Sequence, residues 1–433
     1  TFYLFLSSKL KQNKNSKLFF LYGWSFGFGY FLTNLYWISI SLTFDQSLKF
    51  LIPFTMILIP SFLALFYGII SYLFKMFNPK NLLSSFFTFS LIFGIVEFLR
   101  GLILTGFPWN LIVYSFSKQL EFLNITSIIG TYGLNLFCIS LFTSPALIFL
   151  KKEKKTIIVC CFFIITSLCF YAYGSLKKYN FYTLNDKAYE YKYRIIGSNI
   201  SLDRFYNKAN AVSVIQDLIK LSSPADRDKT IFIWPEGILP DISQEELKEY
   251  KSLFDKNFSV NHIFVIGTNN EAFENGSINY FNSLTIYDNE LNILDYYNKI
   301  NLVPFGEFLP FENIFKKIGF KTLTNNYQSF SKGKKREIIK IKNQNFTLKI
   351  LPLICYEIIY SGKLSKNSNY DFIINISEDG WFGKSIGPRQ HFDHTIFRAI
   401  ESGKYILRSS NNGIAAIVNP IGVIEQNVDF GES

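Results

Sequence analysis

Charged side chains are scarce in this sequence. They make up 18% of its 433 residues, against about 25% in ordinary soluble domains. The deficit falls before about Tyr173, where long apolar runs follow one another, whereas the chain after about Tyr179 has the mixed polar pattern of a globular domain. This distribution excludes a wholly soluble protein.

Cysteine is also sparse, and it is unevenly placed. Four of the five cysteines lie in the apolar half, where this residue type is typical of a small buried hydrophobe. Cys355 is the one cysteine of the polar half, so that half cannot form an internal disulfide. The five cysteines also lack the paired spacing of a zinc site.

The apolar half contains runs long enough to cross a bilayer, which takes about 20 mostly apolar residues in a helix. Residues 2–6 indicate the tail of an earlier run, and the first residue is Thr1 rather than methionine, so we expect sequence to be missing before it. The candidate spans are 18–40, 50–74, 82–104, 122–150 and 157–173.

Basic residues outnumber acidic ones by 44 to 33, which gives a formal net charge of +11. In a soluble chain this surplus would suggest nucleic-acid binding, but here many lysines flank the apolar runs. They cluster at 9–17 before the first full run, at 75–80 after the second and at 151–155 after the fourth. Lysine-rich loops stay in the cytoplasm. The polar half is therefore predicted to face away from the cytoplasm, and no nucleic-acid partner is predicted.

Two features of the apolar half are unusual. Glu97 and Arg100 lie three residues apart inside a span, where isolated charges would be expensive. They indicate either a mutually satisfied pair facing the bundle interior or a polar lining for a substrate headgroup. The GFPWN segment at 106–110 breaks a helix and offers rings suited to the membrane interface, or it serves only as an aromatic belt.

Strand and helix patterns alternate in the polar half over about 250 residues, which indicates an α/β layered domain. Helical periodicity covers 207–221 and 244–257. Short apolar runs typical of strands cover 193–196, 230–234, 262–268, 282–287, 347–353, 372–376, 404–408 and 414–418.

Three segments carry a reactive residue, each just past a strand. Pro235 ends a strand and displays Glu236, whose carboxylate between apolar walls would suit a general base. Lys299 stands in an otherwise uncharged stretch and could stabilise an oxyanion. Cys355 ends an apolar strand, where a turn can expose its sulfur. Taken singly, these residues are more simply a surface glutamate, a solvated lysine and a buried structural cysteine. Their combination favours a catalytic site.

The sequence around these residues resembles the nitrilase superfamily, whose catalytic set is Glu-Lys-Cys. With a multispan membrane half in front of it, the resemblance narrows to the apolipoprotein N-acyltransferase family and covers nearly the whole chain. The motifs that carry it are VPFGE at 303–307, ICYE at 354–357, WFGKSIGP at 381–388 and LRSSNNGI at 407–414.

This resemblance implies a polytopic α-helical membrane bundle fused to an α/β nitrilase-like α-β-β-α sandwich. Residues 1–178 would form the membrane domain, and 179–433 the catalytic domain, with a final membrane helix missing. Glu236 would be the general base, Lys299 the oxyanion stabiliser and Cys355 the nucleophile, without a cofactor or metal. The supporting residues would be Glu307, Tyr356, Glu357 and Trp381.

The chain also departs from the resembled pattern. Phe205 stands where the family has a tryptophan, so the aromatic surface is kept but the indole donor is lost, and Glu378 stands where asparagine is common.

The histidines show a pattern of their own. His391 and His394 have H-x-x-H spacing, but no third metal ligand is evident nearby. The favoured interpretation is packing or hydrogen bonding near Arg398 and Glu401 rather than a metal site.

The function implied by the resemblance is transfer of a fatty acyl chain from a phospholipid, through a thioester on Cys355, to the α-amino group of the N-terminal diacylglyceryl-cysteine of apolipoproteins. The partners would be the phospholipid, the lipidated acceptor and the bilayer. We expect a monomer in the bacterial inner membrane, with its catalytic half on the periplasmic or external face. Two alternatives stay open: a membrane-tethered amidase that hydrolyses a small amide, and an inactive scaffold that presents lipoproteins.

Overall fold

The computed structural model describes the chain except at positions 11, 13, 14, 78, 185–190, 208–209, 275, 311–328, 343–344 and 366. The basic cluster at 9–17 therefore lies partly outside the described residues. Two compact units are present. The first comprises Thr1–Ser39 and Ser47–Asn185, and the second comprises Ile40–Gln46 and Asp186–Ser433.

The first unit is helical. Its short 3-10 segments are Tyr36–Thr43, which runs on into the second unit, Gln46–Leu51 and Ile112–Phe116. Its α-helices are Phe2–Leu10, Ser16–Leu35, Ile52–Phe77, Leu82–Arg100, Leu120–Leu123, Thr126–Thr143, Pro145–Leu150 and Lys154–Leu184.

Among the described residues, four helical stretches are long and apolar enough to span a membrane. The predicted run 18–40 is not one of them, because its helix Ser16–Leu35 includes several glycine, serine, tyrosine and tryptophan residues that lower its hydropathy. The predicted 17-residue run 157–173 instead lies within a much longer helix. The four stretches are Gln46–Phe77, Leu82–Arg100, Thr126–Leu150 and Lys154–Leu184.

Small residues let two helices of this unit pack closely. A Cβ atom on Gly23 would stand 2.1 Å from the backbone oxygen of Tyr67, and one on Gly27 would stand 2.7 Å from the Cβ of the same tyrosine. Close backbone approach at small residues is typical of helix pairs in membranes. The helices Ser16–Leu35 and Ile52–Phe77 therefore form a tight pair.

The charged pair inside the helical unit is structural. Arg100 and Glu97 are fully buried and joined by two hydrogen bonds, of 3.2 and 2.8 Å. The guanidinium also donates to the backbone oxygens of Phe107 at 2.6 Å and Trp109 at 2.8 Å. The pair is thus mutually satisfied, as the first of the two interpretations predicted. Arg100 also holds the backbone of the non-helical segment at 106–110 in place.

The second unit contains two β-sheets. One has the strand order β1-β3-β4-β5-β6 and the other β12-β11-β10-β9-β8-β7, with β2 paired to the end of β10. The strands are β1 Lys192–Ile195, β2 Gly197–Ser198, β3 Thr230–Ile233, β4 His262–Glu274, β5 Ser277–Tyr287, β6 Ile293–Asn298, β7 Ile339–Lys342, β8 Thr347–Ile354, β9 Phe372–Glu378, β10 Tyr405–Asn411, β11 Ala415–Val418 and β12 Ile424–Val428.

Each sheet combines parallel and antiparallel pairs of strands. β1, β3 and β4 are parallel in the first sheet, as are β8, β9 and β10 in the second. Parallel strands buried on both faces read as continuous apolar runs, and all eight predicted runs are strands. The sequence patterns missed β2, β6, β7 and β12. β2 is only two residues long, and β6, β7 and β12 have exposed positions along them.

Helices cover the outer faces of both sheets. The helix Ala211–Ser222 packs Ile215 and Leu218 against Trp234 and Phe264 of the first sheet. The helix Gly387–Ser402 contacts β10 and β11 of the second, and β5 contacts β8 between the sheets. The predicted α-β-β-α sandwich is confirmed. The predicted helix at 244–257 is split into a 3-10 turn, Glu246–Tyr250, and the short helix Lys251–Asp255.

Candidate active site

The three reactive residues lie where strands end. Glu236 follows β3 after Pro235, Lys299 follows β6 directly, and Cys355 follows β8 directly. The parallel strands β3 and β8 deliver their residues at carboxyl ends, the edge at which open α/β sheets bind ligands. All three side chains are buried, with 6%, 1% and 8% of their surface exposed. The structure therefore excludes the surface glutamate and the solvated lysine.

Glu236, Lys299 and Glu307 form one hydrogen-bonded cluster. The Lys299 Nζ lies 3.2 Å from Oε1 of Glu236 and 2.9 Å from Oε1 of Glu307. The amide of Asn282 donates to the same two oxygens at 2.7 Å each. The backbone N–H of Glu378 donates to the other oxygen of Glu236 at 2.9 Å. Glu236 is therefore held at both of its oxygens.

Burial and mutual charge set the protonation of this cluster. Burial by itself would lower the pKa of Lys299, but the carboxylates of Glu236 and Glu307 outweigh it and hold that pKa well above its usual value. Burial and the neighbouring Glu236 charge raise the pKa of Glu307, against the opposing effect of Lys299. The lysine is thus a fixed positive charge in a site with little access to water.

Cys355 occupies a strained backbone position. Its φ angle is +47°, in the left-handed region that residues with a Cβ rarely adopt. Burial, followed by the Glu236 charge, raises the pKa of its thiol well above the usual value, while Lys299 opposes this. At neutral pH the sulfur therefore carries its proton, so attack requires a base that removes the proton as the new bond forms.

Glu357 ties the cysteine turn to the lysine loop. One carboxylate oxygen accepts hydrogen bonds from the backbone N–H groups of Ile300 at 3.0 Å and Asn301 at 3.1 Å. The other accepts from the backbone N–H of Ile354 at 3.0 Å. The buried Arg336 pairs with this carboxylate at 2.8 Å. The turn that carries Cys355 and the loop that follows Lys299 are consequently held by one fully buried side chain.

A second buried cluster lies beside Cys355. Asp379 accepts from Ser377 Oγ at 2.7 Å, and its two oxygens lie 2.8 Å from His391 Nδ1 and from a guanidinium nitrogen of Arg408. The side-chain atoms of Cys355, Asp379 and His391 that could bind a metal ion all lie within 4.8 Å of one another. Both Asp379 oxygens already accept hydrogen bonds, so Asp379, Ser377, His391 and Arg408 form a hydrogen-bonded cluster beside Cys355.

The protonation of this second cluster follows from burial and charge. Burial would raise the pKa of Asp379, but Arg408 and His391 outweigh it and hold that pKa below its usual value. Burial lowers the pKa of His391, so its ring is neutral at neutral pH. The sequence favoured packing or hydrogen bonding of His391 and His394 near Arg398 and Glu401. In the structure Arg398 and Glu401 pair with each other at 3.0 Å, and His391 hydrogen-bonds with Asp379.

The two departures from the resembled pattern lie close together. Glu378 forms a buried ion pair with Arg204, the residue before Phe205. The ring of Phe205 lies 5.1 Å from that of Trp381. Burial raises the pKa of the Glu378 carboxyl, and Arg204 opposes that effect.

The remaining predicted supporting residues border the site. Trp381 also makes an edge contact with Phe44 at 6.0 Å, within the same unit. Tyr356 is buried next to Cys355 and makes an edge contact with Tyr360 at 5.6 Å.

Sequence reasoning missed four groups at the site. Asn282 begins a predicted strand, and Asp379 and Arg408 adjoin or lie inside the resembled motifs, yet no local pattern marks them as partners of reactive residues. Arg204 stands beside the noted Phe205, but its partner lies 174 positions away. A polar residue within or just after a strand pattern is the signal that could have drawn attention to Asn282 and Asp379.

Known proteins are similar to both parts of this chain. The apolipoprotein N-acyltransferase N-terminal domain matches residues 1–143, and the carbon-nitrogen hydrolase domain matches 201–432. The apolipoprotein N-acyltransferase of Rhodopseudomonas palustris is 31% identical, over 94% of this chain and 78% of that protein. That of Rickettsia prowazekii is 33% identical, over 98% and 83%. The solved structure of Saccharomyces cerevisiae Nit3, a member of branch 10 of the nitrilase superfamily, is 18% identical with a TM-score of 0.38, over 56% of this chain and 87% of that one.

The two-sheet fold and the matched hydrolase domain put the second unit in the carbon–nitrogen hydrolase class of enzymes. With the matched N-terminal domain and these relatives, the chain belongs to the apolipoprotein N-acyltransferase family. It is thus an acyltransferase by family, and a bacterial membrane protein.

Proposed function

We propose that this protein transfers a fatty acyl chain from a phospholipid, through a thioester on Cys355, to the α-amino group of the N-terminal diacylglyceryl-cysteine of an apolipoprotein. The observation that carries the proposal is that Glu236, Lys299 and Cys355 all lie buried at strand ends of the matched hydrolase domain, with the Lys299 Nζ 3.2 Å from Glu236. A membrane domain at 1–178 and a catalytic domain at 179–433 are part of the proposal.

In the first half-reaction, Glu236 removes the thiol proton while Sγ attacks the ester carbonyl of the phospholipid. Lys299, a permanent positive charge, and backbone N–H groups stabilise the oxyanion. As the tetrahedral intermediate collapses, the ester C–O bond breaks and the leaving oxygen takes the proton from Glu236. Lysophospholipid departs, and the acyl chain stays on Cys355 as a thioester.

In the second half-reaction, the acceptor's α-amine attacks the thioester. An unperturbed α-amine has a pKa of about 8, so at neutral pH it is largely protonated and must lose a proton before it attacks. That first proton goes to water. As the neutral amine attacks, Glu236 takes a second proton from its nitrogen, the C–S bond breaks, and Glu236 passes this proton to the departing sulfur. The path from ester to thioester to amide ends downhill, so it requires no nucleotide. Glu307 and Glu357 support it by holding Lys299 and the Cys355 turn, with Tyr356 and Trp381 as neighbours.

A membrane domain fits this chemistry for an energetic reason. Extracting an acyl chain of about 16 carbons into water at ~0.8 kcal/mol per methylene would cost roughly 13 kcal/mol. A site at the bilayer surface avoids this cost because donor and acceptor both stay anchored. We place the catalytic domain on the periplasmic or external face of the inner membrane, following the lysine distribution, and propose that the protein acts as a monomer.

Mass spectrometry of Cys355 tests the proposal. The full-length protein is incubated with phospholipid vesicles, with and without a diacylated lipopeptide. We expect an acyl adduct on Cys355 that disappears as N-acylated lipopeptide forms. The variant Cys355→Ser should form no thioester, whereas Cys169→Ser, which removes an exposed cysteine of the helical unit, should behave as wild type.

Two results would overturn the proposal. Release of free fatty acid without lipopeptide acylation would identify a hydrolase. Labelled acyl transfer at the normal rate in Cys355→Ser would exclude the thioester.

A further inference from the structure

A buried ion pair adjoins the proposed base. Arg204 and Glu378 are joined through a guanidinium nitrogen and Oε2, and both side chains are 2% exposed. Removing one partner of a buried pair leaves an uncompensated charge, which is strongly destabilising. The two side chains therefore depend on each other for their positions.

Arg204 holds the chain on one side of Glu236. Its Nε donates to the backbone oxygen of Gly237, the residue after Glu236, at 3.0 Å. Its other terminal nitrogen donates to the backbone oxygens of Ile200 at 3.1 Å and Ser201 at 2.7 Å. One guanidinium thus joins the loop that contains the base to the loop that contains Phe205.

Glu378 holds the other side. Its backbone N–H donates to Oε2 of Glu236 at 2.9 Å. Its side-chain oxygens accept from the backbone N–H of Gly380 at 2.8 Å and from the amide of Asn411 at 2.6 Å. The end of β9, which supplies a hydrogen bond to the base, is therefore fixed by the same side chain that pairs with Arg204.

An aromatic contact extends this arrangement. The Arg204 guanidinium lies over the ring of Phe205, 4.6 Å from its centroid. The ring packs against Gly237, where an added Cβ would stand 2.9 Å from it. The base and the Phe205 ring are thus placed relative to each other by one ion pair.

We propose that Arg204 and Glu378 are positioning residues that act as one unit to fix Glu236 against Cys355. The inference rests on the proposed function only in taking Glu236 as the base of Cys355. The pair touches no reacting atom. It acts through the backbone on either side of Glu236 and sets the orientation of the carboxylate.

The test measures how fast iodoacetamide alkylates Cys355 in the full-length protein in detergent micelles. Peptide mass spectrometry reads the adduct on Cys355 alone, and the rate is normalised to the folded fraction. The variants are Arg204→Met, Glu378→Gln, their double variant and Glu236→Gln as the reference for loss of the base. Glu97→Gln is the matched control, because it also breaks a fully buried pair but lies in the helical unit.

We expect each single variant to slow alkylation about 10- to 100-fold, since a misplacement of about 1 Å costs rates of this order. The double variant should be no slower than the worse single variant, because the unit is already broken. Arg204→Lys keeps the charge but not the several hydrogen bonds of the guanidinium, so its alkylation rate should lie between those of the wild type and Arg204→Met. Glu97→Gln should alkylate at the wild-type rate per folded molecule. In vesicles, kcat for thioester formation should fall while KM for phospholipid stays constant.

Single variants that alkylate at the wild-type rate would overturn the inference, and so would a double variant whose loss is the product of the two single losses. Failure of the proposed function looks different. The wild type would then form no thioester with phospholipid, while the alkylation rates would still separate the variants.

Discussion

Replacing Asn282 with aspartate adds one charge to the proposed catalytic cluster while its shape stays almost the same. The native amide donates to Glu236 and Glu307 at 2.7 Å each. A carboxylate in its place would face those of Glu236 and Glu307 in a buried site. Among the described residues, Lys299 is the only cation within hydrogen-bonding distance of both glutamates. At about 4 Å and an effective dielectric constant of about 20, each such repulsion is about 4 kcal/mol.

This repulsion must be relieved by binding a proton. Two such repulsions outweigh the attraction to the single Lys299, so the added carboxylate raises the pKa at which the three neighbouring carboxyls lose a shared proton. A raised pKa keeps the cluster protonated at neutral pH, so the base is blocked and activity is lost. Activity returns as the pH rises through the new pKa.

The assay is thioester formation on Cys355, followed by intact-protein mass spectrometry between about pH 5 and pH 9. We expect Asn282→Asp to be about 100-fold slower near pH 7 and to recover at alkaline pH. Asn282→Ala serves as the control, because it removes the same two hydrogen bonds without adding charge. Its rate should fall without an alkaline shift. An unshifted pH profile for Asn282→Asp would refute the ionised, amide-bridged carboxylates on which this reasoning depends.

Two further substitutions probe how the site is supported. Gly267→Ala would put a methyl group 2.6 Å from the Cα of Glu236 and from the backbone oxygen of Pro235. We expect thioester formation to fall about 100-fold, whereas Gly29→Ala, where the methyl meets open space, should leave the rate unchanged. Glu357→Gln leaves Arg336 as a buried unpaired charge and should lower the free energy of unfolding by about 3–5 kcal/mol, measured by thermal unfolding in detergent. A variant as stable as the wild type would show that this pair does not hold the two loops together.

The strands that form the core could be predicted because their patterns are local. A strand buried on both faces favours a continuous apolar run. Residues 230–234 and 372–376 are almost entirely apolar, as is 350–353 at the end of β8. β6, β7 and β12 escaped prediction because each has exposed positions along it. Their pairing depends on neighbours far away in the chain, and a local pattern does not contain that information.

The site shows the same division. Glu236 and Cys355 could be chosen because each is a reactive residue type at the end of a predicted strand. Lys299 could be chosen because it stands in an otherwise uncharged stretch and completes the Glu-Lys-Cys set of the resembled superfamily. The partner of Arg204 could not be predicted, because Glu378 comes close to Arg204 only when β9 takes its place in the second sheet. The hydrogen-bond partner of His391 could not be chosen either, since Asp379 lies just after a strand and not in the helix that contains His391.

The amino-acid sequence by itself determined that part of this chain is apolar enough for a membrane, that the rest folds as an α/β layered domain, and which three reactive residues deserved notice. These properties follow from composition and short-range periodicity. The tertiary structure alone decided which polar groups meet. Asn282 bridges two carboxylates, Glu357 joins two loops, and Cys355 keeps its proton, because burial and charge depend on atoms that folding brings together from distant positions.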